Sequence, residues 1–402
     1  MTEPNTQLDY GLFDADNHYY EPYDCFTRHI EPAFKDQAVR VEVGEDGLGR
    51  TYIGDHTTLF TPVMMCDSIG PPGSFKGMVC DDTADSEIPT ISPRVSWPAY
   101  MNRDARVRLM DDQGVEAAIF LPTAAVCLEY DLYKMGPAAA FANLRSFNRW
   151  VEEDWGFSYQ DRIFAVPMLS LADIDLAVAE VERVLALGAR FVHLNPGPAY
   201  GRSPADPHFD PFWARVAEAG VPVIYHIGDS GYNELVGANW GQPVEANLFE
   251  HTPLQNYLGL CDRPIQDTMA ALVLGNLFTR FPTLKVLSVE NGCRWVRPLL
   301  TDMDHAARMA RSRGLTGIPS EIFREHVYVA PFWEDDAHDL VGLIGAEHVL
   351  LGSDFPHPEG EANPIDYLNA LRGMDEATVR LIMRDNAARL AGYQPSAATA
   401  AA

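Results

Sequence analysis

The 402-residue chain sets 57 acidic against 30 basic side chains, a formal net charge of −27 that would repel nucleic acid and anionic membranes alike. It is long for one core, yet α/β barrels with insertions routinely hold this many residues in a single domain. No basic-then-apolar leader opens it, no run approaches the roughly 18 apolar residues of a membrane span, and its six cysteines show neither C-x-x-C nor zinc-ribbon spacing, so a cytoplasmic protein with buried thiols is expected.

In chain order, short apolar runs at 12–16, 117–121, 163–168, 190–195, 222–226, 285–290, 326–330 and 348–353 read as strands. Between them lie segments with apolar spacing near 3.6. The clearest is "ADIDLAVAEVERVLALG", where Ile174, Ala177, Val178, Val181, Val184, Leu185 and Leu187 share a face before Gly188. Eight strands alternating with helices predict a (β/α)8 TIM barrel. The rival doubly wound sheet would carry a glycine-rich phosphate turn after its first strand, and "DADNHYYEP" contains no glycine. Two insertions interrupt the alternation. Residues 31–103 include "AVRVEVGEDGLGRTYIG", which reads as a hairpin, and residues 227–265 form a long loop after the fifth strand, where barrel enzymes place substrate covers. The expected organisation is one domain over 1–393 and a low-complexity, disordered tail over 394–402.

Polar residues collect at the predicted strand ends, which in a barrel form the catalytic mouth. The first strand ends in Asp14, Asp16 and His18, and alternation lets Asp16 and His18 face the mouth together. His193 lies on the fourth strand, His226 ends the fifth, Glu290 the sixth and Asp354 the eighth. Imidazoles and carboxylates converging in one mouth are the ligands that zinc, manganese and iron accept. Without a cation, packed carboxylates would raise each other's pKa.

The order of these motifs resembles the amidohydrolase superfamily, particularly its amidohydrolase-related branch that includes the aminocarboxymuconate-semialdehyde decarboxylase relatives. "FDADNHYYEP" looks like that branch's first metal motif, with Asp16 in place of the first histidine of H-x-H. "FDPFWARVAEAGVPVIYHIGDSG" is similar to the segment that delivers the fifth-strand histidine, and "LFTRFPTLKVLSVENGCRWV" to the sixth-strand segment. "LGSDFPHPEG" is similar to the motif supplying a metal-binding, proton-transferring aspartate, here Asp354. The chain departs from the pattern at Glu290-Asn291-Gly292, where the decarboxylase relatives place a histidine followed by glycines. Glu290 could then bridge two ions. The resemblance also implies nonheme di-iron hydrolases, including thioesterases, as members with a similar pattern.

The function expected from these readings is a metal-dependent hydrolase acting on an ester, thioester (including acyl-CoA) or amide carbonyl of a bulky apolar substrate. A bound ion lowers the pKa of its water from 15.7 to about 7. Asp354 would take that proton and pass it to the leaving group. One or two divalent ions (iron, zinc or manganese) are expected on Asp16, His18, His226, Glu290 and Asp354, with Glu21, His193 and His357 as further candidates. Catalytic roles fall to Asp354, Glu290 and His193, and substrate binding to Arg294, Trp295, Tyr20 and Asn195. Asp14, upstream of the mouth, would orient a ligand from behind. The alternatives are non-oxidative decarboxylation of an aromatic or unsaturated acid and, in another class, a catalytically silent binding barrel. A small-molecule substrate and a homodimer are expected, with no nucleic-acid or membrane partner.

Overall fold

A computed structural model describes residues 8–57, 63–76, 89–244, 250–260, 262–311 and 313–393. The strands in chain order are β1 (Leu12–Tyr19), β2 (Arg40–Val43), β3 (Gly49–Ile53), β4 (His56–Thr57), β5 (Val115–Pro122), β6 (Ile163–Ala165), β7 (Val192–Leu194), β8 (Val223–His226), β9 (Val286–Val289) and β10 (Val327–Val329). Parallel ladders run β1-β5-β6 and β7-β8-β9-β10. Single parallel bridges join their edges. Met168 pairs with His193 between the two sheets, Val349 pairs with Val329 of β10, and Phe355 pairs with Asn17 of β1. Residues 349–355 therefore act as the eighth stave of the ring.

The predicted strand at 348–353 has no continuous ladder, and the reason is local crowding. A Cβ on Gly352 would stand 3.0 Å from the Ala330 Cβ and 3.1 Å from the Asp16 Cβ, so the backbone runs too close to its neighbours for an ordinary residue. Side chains supply bonds instead: the Ser353 N–H and hydroxyl both donate to Asp14. Leu350 N–H still reaches the Val329 carbonyl, and Ala15 N–H reaches that of Leu351.

Alternation along the staves sorts the core into two layers. Phe13, Ala15, Ile119, Phe164, Ile224, Leu287 and Leu350 fill the barrel interior, while Leu12, Val192, Val223, Tyr225 and Val286 pack outward against helices. Burying each large aliphatic or aromatic side chain contributes about 1.5–3 kcal/mol. The helix Ile174–Ala186 shows how the outer shell docks: the Asp173 side chain caps it by accepting from Leu176 N–H, and Ala177, Val181 and Val184 are buried. It ends just before Gly188, whose φ of +89° suits glycine.

The first insertion contains the expected hairpin, β2 antiparallel to β3 with Arg40 opposite Tyr52 and Val43 opposite Gly49, extended by β4. After β8 the chain forms short helical turns at Tyr232–Leu235, Gly237–Trp240 and Pro253–Gln255, the last closed by a Thr252/Gln255 capping box. Cys25, Cys66, Cys127 and Cys293 are buried free thiols. Cys80, Cys261 and the tail at 394–402 lie outside the described residues. Among the described residues no helix is long and apolar enough to cross a membrane.

Candidate metal centre

The site begins with an irregularity in β1. Between Asp14 and Asn17 this strand advances three residues while β5 advances two, from Ala118 to Phe120. Phe13 and Ala15 point into the barrel, and strict alternation would carry Asp16 and His18 to the outer face. The extra residue reverses the parity and turns both toward the mouth.

Two further carboxylates arrive on unusual backbone. Glu290 has φ 52° and Asp354 φ 57°, left-handed conformations that cost roughly 1–3 kcal/mol in residues other than glycine. Surrounding bonds hold them. Asn291 Nδ2 donates to the carbonyls of Tyr225 and Val289 at 3.0 and 2.8 Å, and Asp354 N–H donates to the Asp16 carbonyl at 2.9 Å. The turn after Asp354 folds back so tightly that a Cβ on Gly360 would lie 2.6 Å from the Ser353 carbonyl oxygen.

These elements bring six side chains together. Asp16, His18, His226 and Glu290 form one group, and His18, Glu290, Asp354 and His357 a second; within each, the donor atoms lie within 4.8 Å of one another. His18 Nε2 is 3.1 Å from Asp16 Oδ1 and 3.4 Å from both Glu290 Oε2 and Asp354 Oδ1. His226 Nε2 approaches Glu290 Oε2 to 2.7 Å, and His357 Nδ1 approaches Asp354 Oδ1 to 2.7 Å. All four atoms of these last two contacts are buried and still lack a hydrogen-bond partner. Close approach without hydrogen-bond geometry is what lone pairs aimed at a shared cation produce, so the donor set fits a divalent ion.

The far sides of two imidazoles are already committed. His226 Nδ1 lies 2.8 Å from the Ile227 carbonyl and must donate to it, leaving Nε2 as a lone pair. Thr123 donates its hydroxyl to the Tyr19 carbonyl at 2.7 Å, so the His357 Nε2 only 3.0 Å away is the donor to Thr123, and His357 Nδ1 faces the cluster unprotonated.

In the ion-free cluster, burial pushes the His226 imidazole down, but Glu290 and Asp16 outweigh it and raise it to about 10. His18 is also raised: burial opposes the charge, and Asp16 and Glu290 prevail. Glu290 is resisted by burial yet held well below the usual carboxylate range by His226 and His18. Asp354 lies well above its ordinary value through burial first and Glu290 second. The cluster therefore holds protons where an ion would replace them.

The remaining predicted residues are placed unevenly. His193 is fully buried with both ring nitrogens unpartnered, its centroid 6.5 Å from that of His226, and burial keeps it neutral. Glu21 stands outside both groups, its Oε1 accepting from Ala124 and Ala125 N–H at 2.9 and 3.1 Å. Trp295, expected to bind substrate, is committed to the core instead: it is 1% exposed, donates to the Asn291 and Gly292 carbonyls, and packs edge-on to Phe323. The Arg294 side chain is 71% exposed and leans toward Asp335 at 4.0 Å. Tyr20 is buried, donating to the Pro356 carbonyl with its ring 5.9 Å from that of His357. Asn195 lines a cavity beside the barrel. Asp14 accepts from Ser353 and Asn17 behind the cluster. Thr123 was missed by sequence reasoning, although a polar residue just past the predicted strand at 117–121 meets the same strand-end rule that found the others.

The amidohydrolase family profile matches residues 55–392. The chain belongs to the amidohydrolase family. It is 40% identical to a crystallised amidohydrolase from Mycobacterium avium subsp. paratuberculosis, covering 96% of this chain and 100% of that one with a TM-score of 0.88. It is 24% identical over 243 residues to the 2-amino-3-carboxymuconate-6-semialdehyde decarboxylase of Dictyostelium discoideum, a match that takes in 58% of this chain and less than two thirds, 62%, of that enzyme. With the gamma-resorcylate decarboxylase of a Polaromonas species it shares 25% identity over 295 residues, 66% of this chain and 81% of that enzyme.

Proposed function

We propose that this amidohydrolase is a metal-dependent decarboxylase that releases CO₂ from an aromatic or unsaturated carboxylic acid. The observation that carries the reading is the placement of Asp354: a carboxyl buried at the mouth, within the second donor group and with His357 Nδ1 2.7 Å from its Oδ1, stands where a proton can be delivered to a carbon as it loses CO₂. The two decarboxylases it resembles support the same class. Asp16, His18, His226 and Glu290 would hold one divalent ion, with Asp354 and His357 beside it. One is favoured because the single lone pair of His18 Nε2 serves both groups.

When bound, the ion supplies Lewis acidity toward the substrate carboxylate and an adjacent oxygen. Asp354 donates its proton to the carbon that bore the carboxylate, the carbon–carboxyl bond breaks, and CO₂ leaves without a net redox change. His357, oriented by Thr123, turns its unprotonated Nδ1 toward Asp354 at 2.7 Å and holds that carboxyl in place. His193 offers a neutral ring to a substrate oxygen.

Hydrolysis of an ester, thioester or amide is the second reading, favoured by Glu290 at the position where the resembling decarboxylases carry a histidine. Asp354 would then relay a proton from the attacking water to the leaving group. Metal-loaded enzyme given hydroxybenzoates and unsaturated diacids alongside aryl esters and acyl thioesters separates the readings. CO₂ release is the expected result; alcohol or thiol release without CO₂ overturns it in favour of hydrolysis, and no turnover with any member of the panel counts toward a silent binding barrel.

A further inference from the structure

A cavity of about 520 Å³ lies on the outer side of β7 and β8, where Leu194 and Tyr225 turn away from the barrel, and none of the six clustered metal-centre residues lines it. Its size suits a small molecule. Three of its polar groups are more than nine-tenths buried and lack partners: Glu129 Oε2, the Tyr225 hydroxyl and Ser230 Oγ. The other Glu129 oxygen accepts from the Tyr200 hydroxyl at 2.6 Å, so the carboxylate is fixed with one oxygen left toward the cavity. A buried carboxylate oxygen without a donor is costly, and a ligand that brings N–H groups would remove that cost.

The charge around it selects the ligand. Lys134 lies 3.1 Å from Asp131 and 3.2 Å from Glu234, so its charge is already answered, and Glu129 and Asp229 leave the lining acidic. Aromatic faces flank the acids. Tyr133 and Tyr200 lie against each other with centroids 3.8 Å apart and planes tilted by 36°, and Tyr130 completes that wall.

We propose that this cavity is a second ligand site that binds a small organic ammonium, with Glu129 and Tyr225 taking its N–H groups and the tyrosines its hydrocarbon body. None of the six clustered residues lines this site, and the proposal does not depend on which reaction occurs at the metal centre.

Calorimetry on the full chain with 2-phenylethylamine, 2-phenylethanol and 3-phenylpropionate tests it. The amine is expected to bind at least roughly tenfold more tightly than the alcohol or the carboxylate. Glu129→Gln should bring the amine down to the level of the alcohol. Leu235→Trp, a change at the exposed rim that spares the buried groups, should weaken all binding there and serves if the first variant does not fold. Chelating the metal should leave amine affinity within about twofold, since no cation–ligand bond is involved. Equal affinity for amine and carboxylate, amine binding unaltered in the folded variants, or loss of binding on chelation would overturn the proposal.

Discussion

Thr123 sets the tautomer of His357 because its own hydroxyl is spent on the Tyr19 carbonyl. Thr123→Val keeps the shape and removes the acceptor, so His357 can protonate on either nitrogen and the lone pair toward Asp354 is no longer assured. Groups of this kind, standing behind metal ligands, typically matter by 10–100-fold. A kcat/KM lower by roughly that factor with the folded state intact is expected, and full activity in Thr123→Val would remove His357 from the mechanism. The protons on His18 and His226 lead to a second expectation. Both imidazoles are raised, His226 to about 10, so near neutrality His226 must release a proton before it can bind an ion. Metal affinity should therefore climb as pH rises from about 6 to 8, by up to roughly tenfold per unit for each proton displaced. Titration calorimetry in two buffers of different ionisation enthalpy counts those protons; affinity flat across this range would mean that the imidazoles are not ligands.

At the scale of elements, the seam between β1 and residues 349–355 depends on Asp14, which receives Ser353 N–H at 3.0 Å and Asn17 Nδ2 at 2.8 Å. Burial outweighs these donors and raises Asp14 from 3.8 to about 6. The folded state thus keeps this proton in a window where the unfolded state has released it, so Asp14's contribution to stability falls as pH rises from about 4 to 6 and is level above. Two units correspond to at most about 3 kcal/mol. Urea unfolding of metal-free protein should show a shallower decline across that window in Asp14→Asn than in the wild type; identical slopes would exclude Asp14 as the source. The same seam explains what could be read in the sequence. Polar residues at the C-terminal ends of apolar runs marked Asp16, His18, His193, His226, Glu290 and Asp354, because a strand end can be read from the local pattern. The bulge that turns Asp16 and His18 inward comes from pairing with β5, which no local pattern encodes. His357 sits between two prolines, a loop setting by sequence, and only the fold-back at Gly360 brings it to the cluster. Trp295 was expected at the substrate because an aromatic at a helix start reads alike whether it faces the mouth or the core.

Over the whole molecule, the candidate ligands come from both ends of the chain. Asp16 and His18 lie on the first stave, His226 and Glu290 at the ends of β8 and β9, and Asp354 and His357 on or just after the last stave. Only the folded ring presents them together, so an ion bound there belongs to the native state alone and stabilises it by mass action, about 2.7 kcal/mol at a free concentration of 100 times Kd. It also relieves the repulsion among Asp16, Glu290 and Asp354 that raises the Asp354 pKa. Chelation should accordingly lower Tm by about a few °C in a chain of this size, and re-adding metal should restore it. The double variant Asp16→Asn, Glu290→Gln separates this from a general effect of the chelator. With two carboxylates gone from one donor group, its ion-free form loses the pairing of Asp16 and Glu290 with His226 and should melt somewhat lower than ion-free wild type, and its Tm should no longer respond to metal. If that variant still gains Tm on metal addition, the stabilising ion sits elsewhere.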